Sequence, residues 1–221
     1  MGDSTRLVIV GKQGAGKGTQ AGRLARRYGV PHIATGDMFR AAVRSGSDAG
    51  REAKRYLDAG DLVPDDVVIG VVEERLSRPD VARGFVLDGF PRTVPQAEAL
   101  ERVLEPDGVD LVIKLQVPTE VVVARLSQRL VCTECDANYG PARSPEDPAA
   151  CDACGGKLVP RDDDNAATIE HRLEVFEKQT RPLVNWYDER GCLVFVDGQA
   201  SPDEVTERLV KAVEDRLGVR A

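Results

Sequence analysis

The residues Gly11 to Thr19, in the order GKQGAGKGT, combine closely spaced glycines with lysine and a hydroxyl. Gly11, Gly16 and Lys17 stand at the spacing of a phosphate-binding loop, where glycines let the backbone curl until successive N–H groups face phosphate oxygens. The loop follows the apolar run Leu7 to Val10 and precedes a helical pattern from Gln20 to Arg27 that stops at Gly29. A helix N-terminus therefore adds partial positive charge at the same point. Lys17 supplies the cation for the terminal phosphates, and Thr19 offers a hydroxyl near a metal. Gly18 takes the position directly after the lysine, where that hydroxyl more often stands.

A second set of residues suits the same chemistry. Asp88 ends the buried run Phe85 to Leu87, at the edge where open parallel sheets bind ligands, and is expected to hold magnesium through the water shell that this ion keeps. Arg92 follows, with a fork geometry that fits phosphate better than a lysine does. Arg125 and Arg129, four apart, are expected on one face of a helix running from about Thr119 to Leu130. Arg161 and Arg172 lie on the far side of a cysteine-rich segment, so four arginines bracket one insertion. Phosphoryl transfer needs such groups, because its catalysis is mostly positioning and neutralisation of charge on phosphate oxygens; the competing reading is four solvated surface side chains. Asp163 and Asp164 read equally as orienters of those arginines or as part of a solvated acidic run from Asp162.

Cys132 and Cys135 form one CxxC pair and Cys151 and Cys154 another, separated by residues 136–150. Two such pairs can supply four thiolates to a tetrahedral zinc, and disulfides are the rival in an oxidising compartment. Four protein ligands leave no open position for substrate, so the zinc is expected to be structural, holding about 30 residues too few to build a core of their own.

These groups need a scaffold. The apolar runs at Leu7 to Val10, His32 to Ala34, Phe85 to Leu87, Leu111 to Val117 and Leu193 to Val196 alternate with helical patterns, which implies an α/β fold with a parallel sheet covered on both faces. Residues 36–60 are helical in pattern but broken by Gly46, Gly50 and Gly60. Pro64, Asp65 and Asp66 open a helix through Leu76, with acidic residues in its first turn. Another follows Pro95. Residues 131–160 lose periodicity and read as an inserted module with prolines at 141, 145, 148 and 160. A helical pattern resumes from about Ala166 to Gln179, is interrupted by Pro182 and ends near Gly191. Ser201, Pro202, Asp203 and Glu204 form a capping box opening a last helix to about Leu217.

The chain has 221 residues and a formal net charge of −7. An acidic balance argues against a general nucleic-acid or membrane-surface binder, although a few converging arginines still hold a small anion. The absence of a long apolar run and of an apolar leader gives a cytoplasmic expectation. His32 and His171 are assigned packing or surface roles, Trp186 and Tyr187 core roles, and Cys192 that of a buried inert thiol in a strand. A zinc-ribbon nucleic-acid binder is disfavoured because the cysteine module carries Arg143 as its sole arginine and Tyr139 as its sole aromatic.

GAGKGTQ (14–20), TGDMFR (35–40), DGFPRT (88–93) with Gln96, Arg125 with Arg129, RDDD (161–164) with Arg172, and VDG (196–198) resemble the motifs of the adenylate kinase family, in its order and over essentially the whole chain. The cysteine module resembles the zinc-bearing lid of long-form bacterial members. The resemblance implies a magnesium-dependent ATP:AMP phosphotransferase, giving two ADP, on a five-stranded parallel sheet flanked by helices. It implies a P-loop core of residues 1–34, 64–130 and 163–221, a monophosphate-binding insertion at 35–63 and a lid at 131–162. By similarity, Gly14, Ala15, Gly16, Lys17, Gly18 and Thr19 hold ATP phosphates, with Arg125 and Ala200 at its base. Thr35, Arg40, Asp61, Leu62, Val63, Gly89, Phe90, Pro91, Arg92, Gln96, Arg161 and Arg172 form the AMP site. Lys17, Asp88, Arg92, Arg129, Arg161 and Arg172 surround the transferring group. The same resemblance gives a cytoplasmic monomer with ATP, AMP and ADP as partners and neither nucleic acid nor membrane. Lys12 and Gln13 stand where the family usually has a small residue and a proline, which is expected to place an extra cation beside the phosphate loop, and Leu130 replaces a basic residue. Related readings are a nucleoside monophosphate kinase with another base preference and a catalytically weak nucleotide-binding paralogue.

Overall fold

The computed structural model of the chain describes residues 4–140, 147 and 149–218. Arg143, Pro141, Pro145 and Pro148 lie outside the described residues. Five strands, β1 (Thr5–Val10), β2 (His32–Ala34), β3 (Gly84–Asp88), β4 (Leu111–Gln116) and β8 (Leu193–Asp197), form one sheet in the order β2-β3-β1-β4-β8. Every pairing is parallel. The chain lays strands first to one side of β1 and then to the other, so the crevice where the strand order reverses opens above the C-terminal end of β1.

From Leu7 to Val10 β1 is buried on both faces, which is why these residues are continuously apolar rather than alternating. Leu7 and Ile9 pack with Ala21, Leu24, Leu209 and Val213 on one face. Val8 and Val10 pack with Phe39, Phe85, Leu100 and Leu183 on the other. Helices α1 (Lys17–Tyr28) and α9 (Pro202–Leu217) cover the first face, with α9 opened by the complete capping box at Ser201 and Glu204. Helices α4 (Asp65–Leu76), α5 (Val94–Val103) and α8 (Arg181–Glu189) cover the second.

Between β2 and α4 stand α2 (Thr35–Arg44) and α3 (Asp48–Ala59). Gly46 and Gly60 end these helices, whereas Gly50 lies inside α3 and breaks nothing: a Cβ there would sit 2.1 Å from the Ala42 carbonyl oxygen, so glycine lets the helices pack in contact. Helix α6 (Thr119–Ser127) stops short of the expected Leu130. Leu130 instead opens β5 (Leu130–Cys132), the centre of a small antiparallel sheet with β6 (Asn138–Tyr139) and β7 (Leu158–Pro160). Arg129 thus lies off the helix, and the shared face expected for Arg125 and Arg129 is not observed.

The helical stretch after the insertion is α7 (Ala166–Val175), capped by Asn165, which accepts from the Thr168 N–H at 3.0 Å. A π-helical turn, Phe176–Thr180, joins it to α8. Pro182 therefore does not break the chain; it sits in the first turn of α8, where the missing N–H costs little. Cys192 precedes β8 rather than lying in it and is half-buried. Trp186 and Tyr187 meet edge to face at 4.8 Å, and Tyr187 is fully buried, as expected of core residues. Among the described residues no helix is long and apolar enough to cross a membrane.

Candidate active site

The phosphate loop leaves β1 and turns into α1. Gly14 has φ 76°, and a Cβ there would stand 2.8 Å from Leu126 Cγ and 3.0 Å from the Val122 carbonyl oxygen, so both backbone conformation and space require glycine. Lys17 Nζ donates to the Lys12 carbonyl at 2.9 Å. Burial lowers its ammonium to about 8, helped by Arg92, Lys114 and Arg129 and opposed by Asp88.

Asp88, at the end of β3, faces this lysine. Burial would raise its carboxyl, but His32, Lys17 and Arg92 outweigh burial and hold it below the ordinary value. The His32 Nε2 lies 3.8 Å from Asp88 Oδ2, beyond hydrogen-bond reach, so His32 sits beside the site and not merely in packing. Arg92 is lowered to about 10 by burial, with Asp88 opposing and Arg172, Arg40 and Arg161 adding to the fall. Its Nε donates to the Gly89 carbonyl at 2.8 Å.

Two aspartates organise the remaining arginines. Asp164 accepts a bidentate pair from Arg129 at 2.6 Å each and a further bond from Arg172 at 3.3 Å. Asp163 accepts from Arg161 at 2.5 and 2.7 Å and also from Arg172. The Asp163 carboxyl is held far below the usual carboxylate range: burial opposes this, and Arg161 and Arg172 outweigh it. These aspartates are side-chain-buried to 12% and 4% exposure, so they are not a solvated run; only Asp162 of the three is exposed. Arg125 bridges the loop to the turn after β8, donating to the Ala15 carbonyl at 3.3 Å and the Gly198 carbonyl at 3.2 Å.

One cleft is lined by Gly14 to Thr19, Arg40, Asp61, Asp88, Gly89, Arg92, Arg125, Arg129, Arg161, Arg172 and Ala200. Thr35, Leu62, Val63, Phe90, Pro91 and Gln96 are not on that lining. Thr35 is buried and donates to the Gly89 carbonyl at 3.0 Å. Gln96 is 1% exposed, with its amide oxygen accepting from the Arg92 N–H at 2.8 Å and its nitrogen donating to Asp65 at 2.6 Å. Val63 and Phe90 belong to the core. The cleft also exposes Gln13, whose Oε1 is buried without a partner. Lys12 does not crowd the phosphate loop with charge: its Nζ turns away to Thr119 Oγ1 at 2.7 Å and Glu177 at 3.7 Å.

The sulfurs of Cys132, Cys135, Cys151 and Cys154 all lie within 4.8 Å of one another, with Cys132 to Cys154 at 3.5 Å and Cys135 to Cys151 at 3.6 Å. Ligands at about 2.3 Å from a tetrahedral zinc have sulfur–sulfur edges of about 3.8 Å, so the four residues fit that ion. The Tyr139 hydroxyl lies 3.3 Å from Cys151 Sγ and accepts from the Asp152 N–H at 2.9 Å, which leaves its proton for the sulfur. Cys151 is accordingly lowered to about 6, chiefly by Tyr139. Gly156 leaves the space: a Cβ would stand 2.8 Å from Cys132 Sγ.

The two insertions meet across the cleft, where Arg44 at the end of α2 donates to Asp136 at 2.7 Å, just past the first cysteine pair. A model of the family described as adenylate kinase matches residues 9–192. A Bacillus subtilis (strain 168) adenylate kinase is 51% identical over 215 residues, 96% of this chain and 97% of its own. Adenylate kinases of Carboxydothermus hydrogenoformans and Methanosarcina mazei are 48% and 49% identical, covering 95% and 94% of this chain and 99% and 97% of theirs. With a phosphate loop, a cation-lined cleft and two arms over it, the chain belongs to the adenylate kinase family.

Proposed function

We propose that the reaction of this family, reversible magnesium-dependent transfer of a phosphoryl group from ATP to AMP, is carried out here by Lys17, Arg92, Arg129, Arg161 and Arg172 around one cleft. The observation that carries the assignment is their convergence: five cations line a single space in a chain whose net charge is −7. Gly14 to Thr19 hold the donor phosphates on backbone N–H groups, and Arg125 and Ala200 flank the donor base. Arg40, Asp61 and the segment from Gly89 to Arg92 hold the monophosphate; Thr35, Phe90, Pro91 and Gln96 support that wall from behind, and Leu62 and Val63 continue it. Core, monophosphate arm and lid divide at 1–34 with 64–130 and 163–221, at 35–63, and at 131–162.

No side chain needs to act as general base. A monophosphate with a second pKa of about 6 is ionised at neutral pH, so its oxygen is already a nucleophile. The residues align two phosphates, neutralise charge and exclude water, which would otherwise take the phosphoryl group. Magnesium would supply charge neutralisation on the phosphates, and Asp88 and Thr19 would hold it. Asp88 suits this role because its carboxyl stays ionised beside the loop. Zinc at the four cysteines supplies no chemistry and staples the lid. A cytoplasmic monomer without nucleic-acid or membrane partners completes the reading.

The test is a phosphotransfer assay with ATP against AMP, UMP, CMP and GMP, with metal analysis of the purified protein. AMP is expected to exceed the others by about 100-fold in kcat/KM, since a site built to bind one base leaves polar groups unpaired with another. Equal rates on two acceptors overturn AMP as the acceptor. Lys17→Met and Arg92→Ala are each expected to cut kcat by about 1,000-fold with the fold intact. Near-normal turnover in either variant sinks the site assignment.

A further inference from the structure

Lys12 is one of the loop residues that distinguish this phosphate loop, and the fold uses its side chain. Its Nζ donates to Thr119 Oγ1 at 2.7 Å, in the first turn of α6, and lies 3.7 Å from Glu177, in the π-helical turn after α7. Helix α6 carries Arg125, and α7 carries Arg172. The same residue's carbonyl accepts from Lys17 Nζ at 2.9 Å and from the Ala15 N–H at 3.2 Å. One residue therefore touches the phosphate loop through its backbone and, through its side chain, helix α6 and the π turn that follows α7.

The loop needs such an anchor. Gly11 to Gly16 holds three glycines and no proline, so its intrinsic backbone freedom is high and each ordered residue costs about 1–2 kcal/mol of conformational entropy. Glu177 is also 3.5 Å from Arg181, while Lys114 lies over the Phe176 ring at 4.0 Å. The half-exposed Glu177 carboxylate is thus shared between Lys12 and Arg181. A π turn inside a helix is a frequent mark of a functional position.

We propose that Lys12 is a positioning residue for phosphoryl transfer, tethering the phosphate loop through Thr119 and Glu177 and so fixing the carbonyl that holds Lys17. This rests on Lys17 being the lysine that meets the phosphates. A tether of this kind acts on the alignment of bound ATP, and small misplacements at a transfer centre cost rate more than they cost stability.

The experiment compares Lys12→Met, Glu177→Gln, the double variant and Lys12→Arg with the parent enzyme, reading kcat, KM for ATP and AMP, and melting temperature without nucleotide. Each single loss is expected to lower kcat about tenfold with KM for AMP within about twofold, the double variant to be no worse than the singles, and Lys12→Arg to retain most of the rate. A fall of less than about threefold in either single variant, a double loss equal to the product of the singles, or failure of arginine to rescue overturns the tether. Lys17→Met, run in parallel, separates the two ideas: if it stays active the Lys17 assignment fails, whereas an inactive Lys17→Met beside a normal Lys12→Met sinks only the tether.

Discussion

Lys17 carries its charge at a cost, because burial and three neighbouring cations bring its ammonium down from 10.5 to about 8. An unfolded lysine keeps its proton up to about 10.5, so between the two values the unfolded state binds more protons and this group's contribution to ligand-free stability rises with pH. A bound polyphosphate restores the charged form, so ATP binding at pH 9 takes up a proton. Titration calorimetry in two buffers of different ionisation heat reads this directly: uptake in the parent, none in Lys17→Met. Equal proton counts in both would remove Lys17 from the phosphate site. Asp164 presents the converse case, a carboxylate of 4% side-chain exposure paired with Arg129 and Arg172. Asp164→Asn leaves two buried guanidinium groups under-compensated, at about 3 kcal/mol and about 6–12 °C in melting temperature. Phosphate can replace the missing charge. The melting gain on adding ATP is therefore expected to be larger in the variant than in the parent, and an equal gain would show that these arginines do not meet the nucleotide.

The small sheet of β5, β6 and β7 shows where an element depends on something other than its own packing. Its buried apolar set is confined to Cys132, Tyr139, Cys151 and Leu158 among the described residues, which is too little to hold a three-stranded sheet without the four sulfurs being bridged. Stripping the metal with a chelator is expected to lower the melting temperature by about 10 °C while the initial rate at low temperature stays within about twofold. A rate that collapses at unchanged stability would make the metal catalytic. The sheet strands and the cysteine knuckles were legible in the sequence because each rests on a local signal: continuous apolar runs before Gly11 and Gly89, and paired CxxC spacing. The end of α6 was not, since residues 128–131 continue a helical pattern until Tyr139 and Pro160 recruit Leu130 into the lid sheet, a contact far along the chain. Gly50 misled for the same reason: a glycine that allows helices to touch looks like one that ends a helix. Asp163 and Asp164 stayed ambiguous because a run of aspartates has one appearance whether it meets water or arginine, and only the fold brings Arg129 to it. Lys12 was misplaced because its partner Glu177 is remote in the chain.

At the scale of the molecule, the proposed arms at 35–63 and 131–162 would have to close over substrates and then part. The two segments touch through Arg44 and Asp136, a contact between the end of α2 and the turn beside the first cysteine pair. Arg44 has 45% side-chain exposure and Asp136 21%, so the pair belongs with partly exposed ion pairs, worth about 0.2–1 kcal/mol. That energy is small against folding, yet on an equilibrium between open and closed arms 1 kcal/mol would be about a fivefold change in population. Arg44→Ala is therefore expected to leave melting temperature unchanged and to raise KM for AMP about two- to fivefold, since fewer molecules are preset in the binding-competent form. The rate at saturation should not fall, because product release is helped by whatever weakens closure. Arg44→Asp adds repulsion and should raise KM further, and the exchange Arg44→Asp with Asp136→Arg should return it toward the parent value. High salt, which screens exposed pairs, is expected to shrink the difference between parent and Arg44→Ala. If the charge exchange does not restore KM, the contact between the arms carries no weight in closure, and closure must be set by the ligands gathering Arg129, Arg161 and Arg172 alone.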